Sequence, residues 1–322
     1  MKIVFHGRAA RPFRPDIEAL LNAVHEVHQL PGHLEDPADR EHFRTADVIV
    51  GGALDGSEAV SPRLQLYQVA GAGYESVRQD ALPAGAALCN CHGHERAIAE
   101  YVLGALLQHA IPFTKADRDL RAGRWEHGPF KTGLMHAEIG SWTLLILGFG
   151  HIGKAIARLA KPLGLRILVA NRSPIPTSEM VDGSYALGEV ETALAAADAV
   201  VNTLPLADST KGLIGRAQFS AMRDHALLIN VGRGAVIDET ALYEALKEER
   251  IGGAVIDTWY VYPDAEHPTT LPSSLPFHTL GNVLMTPHMS GWTQETIRRR
   301  RAEIADNINR LAAGQPLANR IL

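Results

Sequence analysis

A glycine triplet in the middle of the chain constrains the fold more than any other feature. Residues 144–147 are a continuous apolar run, and Gly148, Gly150 and Gly153 follow in the order G-x-G-x-x-G, with His151 and Ile152 between the last two. Residues 154–161 read as a helix and residues 165–170 as a second buried strand. A strand, a glycine turn, a helix and a parallel strand make a βαβ unit of the kind that binds a dinucleotide. Gly148 permits the tight turn, Gly150 lets a pyrophosphate approach the backbone, and Gly153 lets helix and strand pack closely. The pyrophosphate then meets the N–H groups and the positive dipole end of the helix.

The residue that ends the second strand bears on the choice of cofactor. An acidic side chain there would hydrogen-bond the ribose hydroxyls of NAD and repel a 2′-phosphate. This chain has Asn171, then Arg172 and Ser173. Asn171 removes the repulsion and Arg172 offers a fork for a phosphate, which favours NADP over NAD. The alternative is that Arg172 is a solvated arginine stacked on adenine, without selectivity.

A length of 322 residues suggests two domains. The net charge of −5 points to neither nucleic acid nor an anionic membrane as partner. No apolar stretch spans a bilayer, and MKIVFHGR begins a strand rather than a signal peptide. The two cysteines, Cys89 and Cys91, are spaced wrongly for a disulfide and have no second pair to complete a zinc site, so a reducing cytoplasm fits. Among fifteen histidines no HExxH or similar ligand pair occurs. His92 and His94 alternate on an extended segment and read as loop or pocket residues, so no metal site is expected.

Strands are expected at residues 2–5, 46–50, 64–69 and 88–91, with a helix over 16–24. Residues 95–121 read as long helical material broken near Pro112. Strands at 199–203, 227–231, 253–256 and 283–286 extend the cofactor sheet, the Pro-rich segment 262–276 is a loop long enough to be functional, and 293–313 is a terminal amphipathic helix. Its basic cluster, residues 298–301, reads as a solvated face. Strands alternating with helices indicate parallel α/β layers. The expected architecture is two Rossmann-like, doubly wound domains. Residues 1–97 and 289–322 form a discontinuous, flavodoxin-like substrate domain, and residues 98–288 form the dinucleotide-binding domain.

Dinucleotide chemistry needs a cation to orient an anionic substrate and a group that moves a proton while the hydride moves. Two segments beyond the carboxyl ends of cofactor-domain strands supply them: INVGRGAVIDETAL with Arg233 and MTPHMSG with His288. Arg233 can grip a carboxylate in two places, and His288 titrates in the range needed to protonate an alkoxide. With the runs VAGAGYESV, AIAEYVLGALL, LGFGHIGKAIA, VVNTLPL and GAVIDTWYVYP, these segments resemble the D-isomer-specific 2-hydroxyacid dehydrogenase family, which includes formate and phosphoglycerate dehydrogenases. The resemblance covers nearly the whole chain. It implies that Arg233 binds the substrate carboxylate and that His288 is the acid/base. Backbone amides around Ala72, Gly73 and Tyr74 would help hold the carboxylate. Asp257 would hydrogen-bond the nicotinamide carboxamide, with Ser290 and Gly291 nearby, while Asn230 and Pro205 border the cofactor cleft. The resemblance also implies a two-fold dimer built around residues 95–121.

Two positions depart from the family pattern. Tyr262 stands where most members carry a Glu paired with the histidine, and His94 stands where the family usually has Asn near the substrate. Formate dehydrogenases resemble this chain in DTWYVYPDAEHP and TPHMSG but rely on Gln and Asn at those two places. Tyr262 and His94 therefore either shape a pocket for a different 2-keto acid or line the cleft as neutral replacements. The expected function is hydride transfer between NAD(P)H and a small 2-keto or 2-hydroxy acid, of the glyoxylate or hydroxypyruvate type. The alternatives are a formate-type dehydrogenase and a non-catalytic NAD(P)-sensing protein on the same fold.

Overall fold

A computed structural model describes residues 1–129, 134–264 and 267–322. The chain divides into two compact units, one of Met1–Gly93 with Thr293–Leu322 and one of His94–Trp292.

The first unit is built on five parallel strands: β1 (Lys2–His6), β2 (Glu26–Leu30), β3 (Val48–Gly51), β4 (Leu66–Val69) and β5 (Ala87–Cys89). Their order is β2-β1-β3-β4-β5, the flavodoxin-like winding. Side chains alternate across the sheet with the period of two that a strand imposes. Ile3, Phe5, Val48 and Val50 face a core shared with Ile304 and Ile308 of the terminal helix Gln294–Ala312. Val4, Ile49, Tyr67 and Leu88 face the opposite core, with Phe43 of the helix Pro37–Arg44. The terminal helix thus returns to the amino-terminal unit, as the mid-chain position of the glycine motif suggests.

The second unit carries seven parallel strands: β6 (Thr143–Leu147), β7 (Arg166–Asn171), β8 (Gly183–Ala186), β9 (Ala199–Asn202), β10 (Leu227–Asn230), β11 (Gly253–Ile256) and β12 (Val283–Met285). Their order is β12-β11-β10-β9-β6-β7-β8, so the winding reverses between β6 and β9 as in a Rossmann sheet. All five residues of β6 are buried, because helices cover both faces. The helices Glu95–Ala110 and His151–Ala160 pack on Leu144, Ile146, Ile167 and Val169. The other face buries Leu145, Leu147, Leu168 and Leu228 beneath the helices Val190–Ala195, Arg216–Ala221 and Glu239–Lys247.

The sequence expectation fails in three places, each for a visible reason. The helix over residues 16–24 is only a short 3-10 turn, Ile17–Leu20. Asn309 takes the partners that helix continuation would need: its Oδ1 accepts from the Asn22 N–H (2.8 Å) and its Nδ2 donates to Leu20 O (2.9 Å). The edge strands β2 and β8 and the helix Pro37–Arg44 were not foreseen, since none has the continuous apolar run of a buried element. The basic cluster is not simply solvated. Arg299 Nε donates to Gly93 O (2.7 Å), Arg300 Nε to His92 O (3.0 Å) and Arg301 to Pro12 O (3.2 Å), whereas Arg298 pairs with exposed Glu295. Residues 95–121 do break where Pro112 stands, between Glu95–Ala110 and Phe113–Arg121. In the Pro-rich loop 262–276, Ala265 and Glu266 lie outside the described residues.

Candidate active site

β6 runs directly into the glycine turn. Gly148 adopts φ +89°, a region that favours glycine, and its N–H donates to Ala170 O (2.8 Å). A Cβ at Gly153 would lie 2.2 Å from Gly148 O, so helix and turn approach each other only because Gly153 has no side chain. A Cβ at Gly150 would meet no atom within 4 Å. The middle glycine thus faces open space at the amino end of the helix His151–Ala160, which no side chain caps. An uncapped helix amino end beside an open glycine turn fits a dinucleotide pyrophosphate. His151 is exposed and Ile152 half-buried at this end. The Thr203 hydroxyl, just after β9, bonds Leu147 O and Gly148 O (both 2.9 Å) and fixes the turn at the point where strand order reverses.

Asn171 closes β7 and presents an amide rather than a carboxylate. Its Oδ1 accepts from Phe149 N–H (3.4 Å) and its Nδ2 donates to Ser173 O (3.1 Å). Arg172 and Ser173 are exposed, as is Pro205 beyond β9.

The segment carrying Arg233 is shaped by buried amides. Asn202 Nδ2 donates to Asn230 Oδ1 (2.9 Å), which also accepts from Gly232 N–H (3.3 Å). Both Asn side chains reach Arg233 O at 3.4 Å. A Cβ at Gly234 would lie 2.3 Å from Trp259 O, so this glycine lets the segment pack on the one after β11. Arg233 is held extended (φ −135°, ψ 139°), with Nη1 donating to Gly232 O (3.0 Å).

Asp257, after β11, is fully buried. Its Oδ1 accepts from the Thr286 hydroxyl (2.6 Å) and Met289 N–H (2.8 Å), and its Oδ2 from Ser290 N–H (2.9 Å). Because a carboxylate only accepts, the Thr286 proton points to Asp257, and Thr286 Oγ1 accepts from the Tyr101 hydroxyl (2.6 Å). Trp259 Nε1 donates to Thr286 O (2.8 Å). These bonds bracket His288, which is exposed and sits at φ +57°, a left-handed conformation costing about 1–3 kcal/mol for a residue with a side chain. The surrounding bonds hold the histidine there.

The Tyr262 ring lies 5.6 Å from the His288 ring, inclined at 52°, and its hydroxyl accepts from Trp259 N–H (3.0 Å). Burial raises the phenol above its usual value, opposed by that hydrogen bond and by the positive charge of Arg233. Arg233, Tyr262 and His288 therefore share one locality at the carboxyl ends of β10, β11 and β12. His94 is buried where the helix Glu95–Ala110 begins, and a Cβ at Gly291 would lie 3.3 Å from its own Cβ. In the other unit, Asn90 Nδ2 donates to Ala72 O (2.7 Å), and Tyr74 is exposed. Among the described residues, no carbonyl accepts from the amides of Ala72, Gly73 or Tyr74.

Sequence reading did not single out Tyr101, Asn202, Thr286 or Trp259 as parts of the site. Tyr101 lies inside an apolar helical run, Asn202 ends β9 and Thr286 follows β12, each as an ordinary polar residue. Only the fold shows that their partners are distant in sequence.

A Rossmann sheet with its glycine turn at the switch point, and an arginine and a histidine beyond the carboxyl ends of β10 and β12 on either side of β11, defines a nucleotide-dependent dehydrogenase architecture. Residues 103–290 match the family model for the D-isomer specific 2-hydroxyacid dehydrogenase NAD binding domain. The chain is 33% identical over 319 residues to glyoxylate/hydroxypyruvate reductase B of Pectobacterium carotovorum subsp. carotovorum, covering 94% of this chain and 93% of that one. The D-3-phosphoglycerate dehydrogenase of Archaeoglobus fulgidus is 30% identical over 230 residues, 71% of this chain, and that of Methanocaldococcus jannaschii is 28% identical over 96% of it. The chain spans only 41% and 57% of the length of those two relatives. Among solved structures, the D-isomer specific 2-hydroxyacid dehydrogenase of Xanthobacter autotrophicus Py2, in complex with NADPH and MES, superposes with a TM-score of 0.79 at 25% identity, over 99% of this chain and 97% of that one. The chain belongs to the D-isomer specific 2-hydroxyacid dehydrogenase family.

Proposed function

We propose that the protein reduces a small 2-keto acid, of the glyoxylate or hydroxypyruvate type, with NADPH. The observation that carries this reading is the placing of Arg233, Tyr262 and His288 beyond the carboxyl ends of β10, β11 and β12, on the same sheet edge as the glycine turn after β6. The bound nicotinamide supplies the hydride. Arg233 grips the substrate carboxylate with its planar fork and its charge polarises the keto oxygen. His288 gives its proton to that oxygen as the alkoxide develops. On this reading the unit around the glycine turn is the cofactor domain, and the unit around β1 to β5 contributes to substrate binding. Turnover of a panel of 2-keto acids with NADPH and NADH tests the reading. No turnover of any of them would favour a cofactor-sensing protein, and formate oxidation would favour the formate-type alternative.

Asn171 supports NADPH over NADH, because the strand end repels no 2′-phosphate. Asn171→Asp introduces a negative charge and removes the donor to Ser173 O. It is expected to shift the ratio of kcat/KM for NADPH over NADH by about tenfold or more toward NADH. A parent enzyme that already prefers NADH overturns the assignment.

The protein is further proposed to be a cytoplasmic homodimer. The described residues include no helix long and apolar enough to cross a membrane. Large apolar side chains are exposed on and after the two helices beyond His94: Leu107, Phe113, Leu120, Trp125 and Met135. Such a series supports the reading of an interface between copies. Light scattering at micromolar concentration is expected to give twice the 34.9 kDa chain mass, and a monomer at that concentration contradicts the dimer.

A further inference from the structure

The edge strand β2 and the helix Pro37–Arg44 bring together side chains that hydride transfer does not use. Glu26 and His28 are two residues apart on β2, so their side chains leave the same face of the strand. His42 comes from the helix packed on that face. His28 Nε2 lies 2.8 Å from Glu26 Oε1, and His42 Nδ1 lies 3.9 Å from the same oxygen. The two imidazole nitrogens and the carboxylate oxygen all fall within 4.8 Å of one another.

His42 Nδ1 is buried and has no hydrogen-bond partner among the described residues. At 3.9 Å it is too far from Glu26 to bond directly, and leaving a buried polar atom unmatched is costly. The His28 and His42 rings stack at 3.7 Å with an interplanar angle of 26°. A cation between the three atoms satisfies the nitrogen and neutralises the carboxylate. Tetrahedral zinc with bonds of about 2.0–2.2 Å spaces its ligand atoms about 3.4 Å apart, between the two separations seen here. Partial exposure of all three side chains leaves room for a water as fourth ligand.

We propose that Glu26, His28 and His42 bind one divalent transition-metal ion of the zinc class, clipping the edge strand to its helix. Two imidazoles and a carboxylate are a donor set that suits such an ion rather than calcium or magnesium. Lys2 tunes the site. Its ammonium stands 3.5 Å from Glu26 Oε1 and donates to Thr45 Oγ1 (2.9 Å), so it opposes the incoming cation. The sequence does not announce this site, because two ligands alternate on a strand and the third lies on a helix after an intervening loop, a pattern no metal motif describes.

The test is equilibrium dialysis of chelator-stripped protein against zinc chloride alone. The parent is expected to take up about one zinc more than His42→Ala or Glu26→Gln. Lys2→Ala is expected to bind that zinc about threefold tighter, as removal of one half-buried opposing charge allows. Zinc should raise the Tm of the parent and of Lys2→Ala by more than that of the two ligand variants. Cobalt in place of zinc should give the visible absorption of a four-coordinate ion in the parent and in Lys2→Ala, and not in the two ligand variants. Keto-acid reduction without added metal should be unchanged in every variant, which shows that each is folded. Should His42→Ala fail to fold, Glu26→Gln still decides. No zinc uptake by the parent, or equal uptake and equal Tm gain in parent and ligand variants, overturns the proposal.

Discussion

His288→Asn is expected to lower kcat/KM for keto-acid reduction by about a hundredfold or more, the usual contribution of a positioned general acid. Asparagine is the informative replacement because of the backbone. His288 sits at φ +57°, which asparagine adopts far more readily than alanine, so the loop keeps its shape while the proton donor is lost. NADPH affinity should be unchanged, since the glycine turn lies at the end of a different strand. The pH profile gives a second reading. Reduction uses the protonated imidazole, so the parent's rate should fall as pH rises through its titration. Tyr262 does not offset that fall: its phenol, raised by burial, stays neutral and supplies no negative charge to an imidazolium. The asparagine variant should lose the imidazole-dependent part of this alkaline limb along with the rate. Near-normal turnover in His288→Asn removes the histidine from the mechanism.

How much of this was legible beforehand depended on the distance over which each interaction acts. β6 and β7 are buried on both faces and read as apolar runs, and the glycine turn between β6 and its helix needs only neighbours in sequence. Arg233 and His288 were legible for a similar reason, each standing in a short distinctive segment that follows a buried strand. The elements that escaped are those decided by remote partners. Residues 16–24 have helical composition, but Asn309 captures their backbone groups from the far end of the chain. β2 is a half-buried edge whose strand character comes from pairing with β1. The supports of the site are of the same kind. Asn202 meets Asn230 across two strands, and Tyr101 meets Thr286 from a helix nearly the whole length of the cofactor unit away in sequence. The resemblance implies that Asp257 serves the nicotinamide; within the protein its oxygens accept from Thr286, Met289 and Ser290, around the histidine.

Those bonds lead to the second large effect. Asp257→Asn is expected to lower kcat about thirtyfold and to lower the Tm by several degrees. In the parent, one fully buried carboxylate receives the Thr286 hydroxyl, Met289 N–H and Ser290 N–H, the last two lying just after the strained His288. Asparagine offers one acceptor oxygen and one NH2. If the oxygen keeps Thr286 and Met289, the NH2 faces Ser290 N–H; if the amide turns over, it opposes Met289 N–H. Either way two donors confront each other in a buried place. Losing hydrogen bonds to a charged group costs about 1.5–3 kcal/mol, and a destabilisation near 2 kcal/mol lowers an equilibrium population about thirtyfold. That energy exceeds or matches what holds His288 in its left-handed conformation, so the imidazole should spend most of its time out of position. The split between kinetic constants identifies the role. A positioning residue lowers kcat while KM for NADPH stays near the parent value, because the nicotinamide is bound but unproductive. A residue whose main contact is the carboxamide raises KM for NADPH. Tyr101→Phe, which removes only the outermost hydroxyl of the chain leading to Asp257, should show the same split at smaller amplitude. A rise in KM for NADPH with kcat intact, in either variant, would show that the Asp257 carboxylate acts on the cofactor and not through the histidine loop.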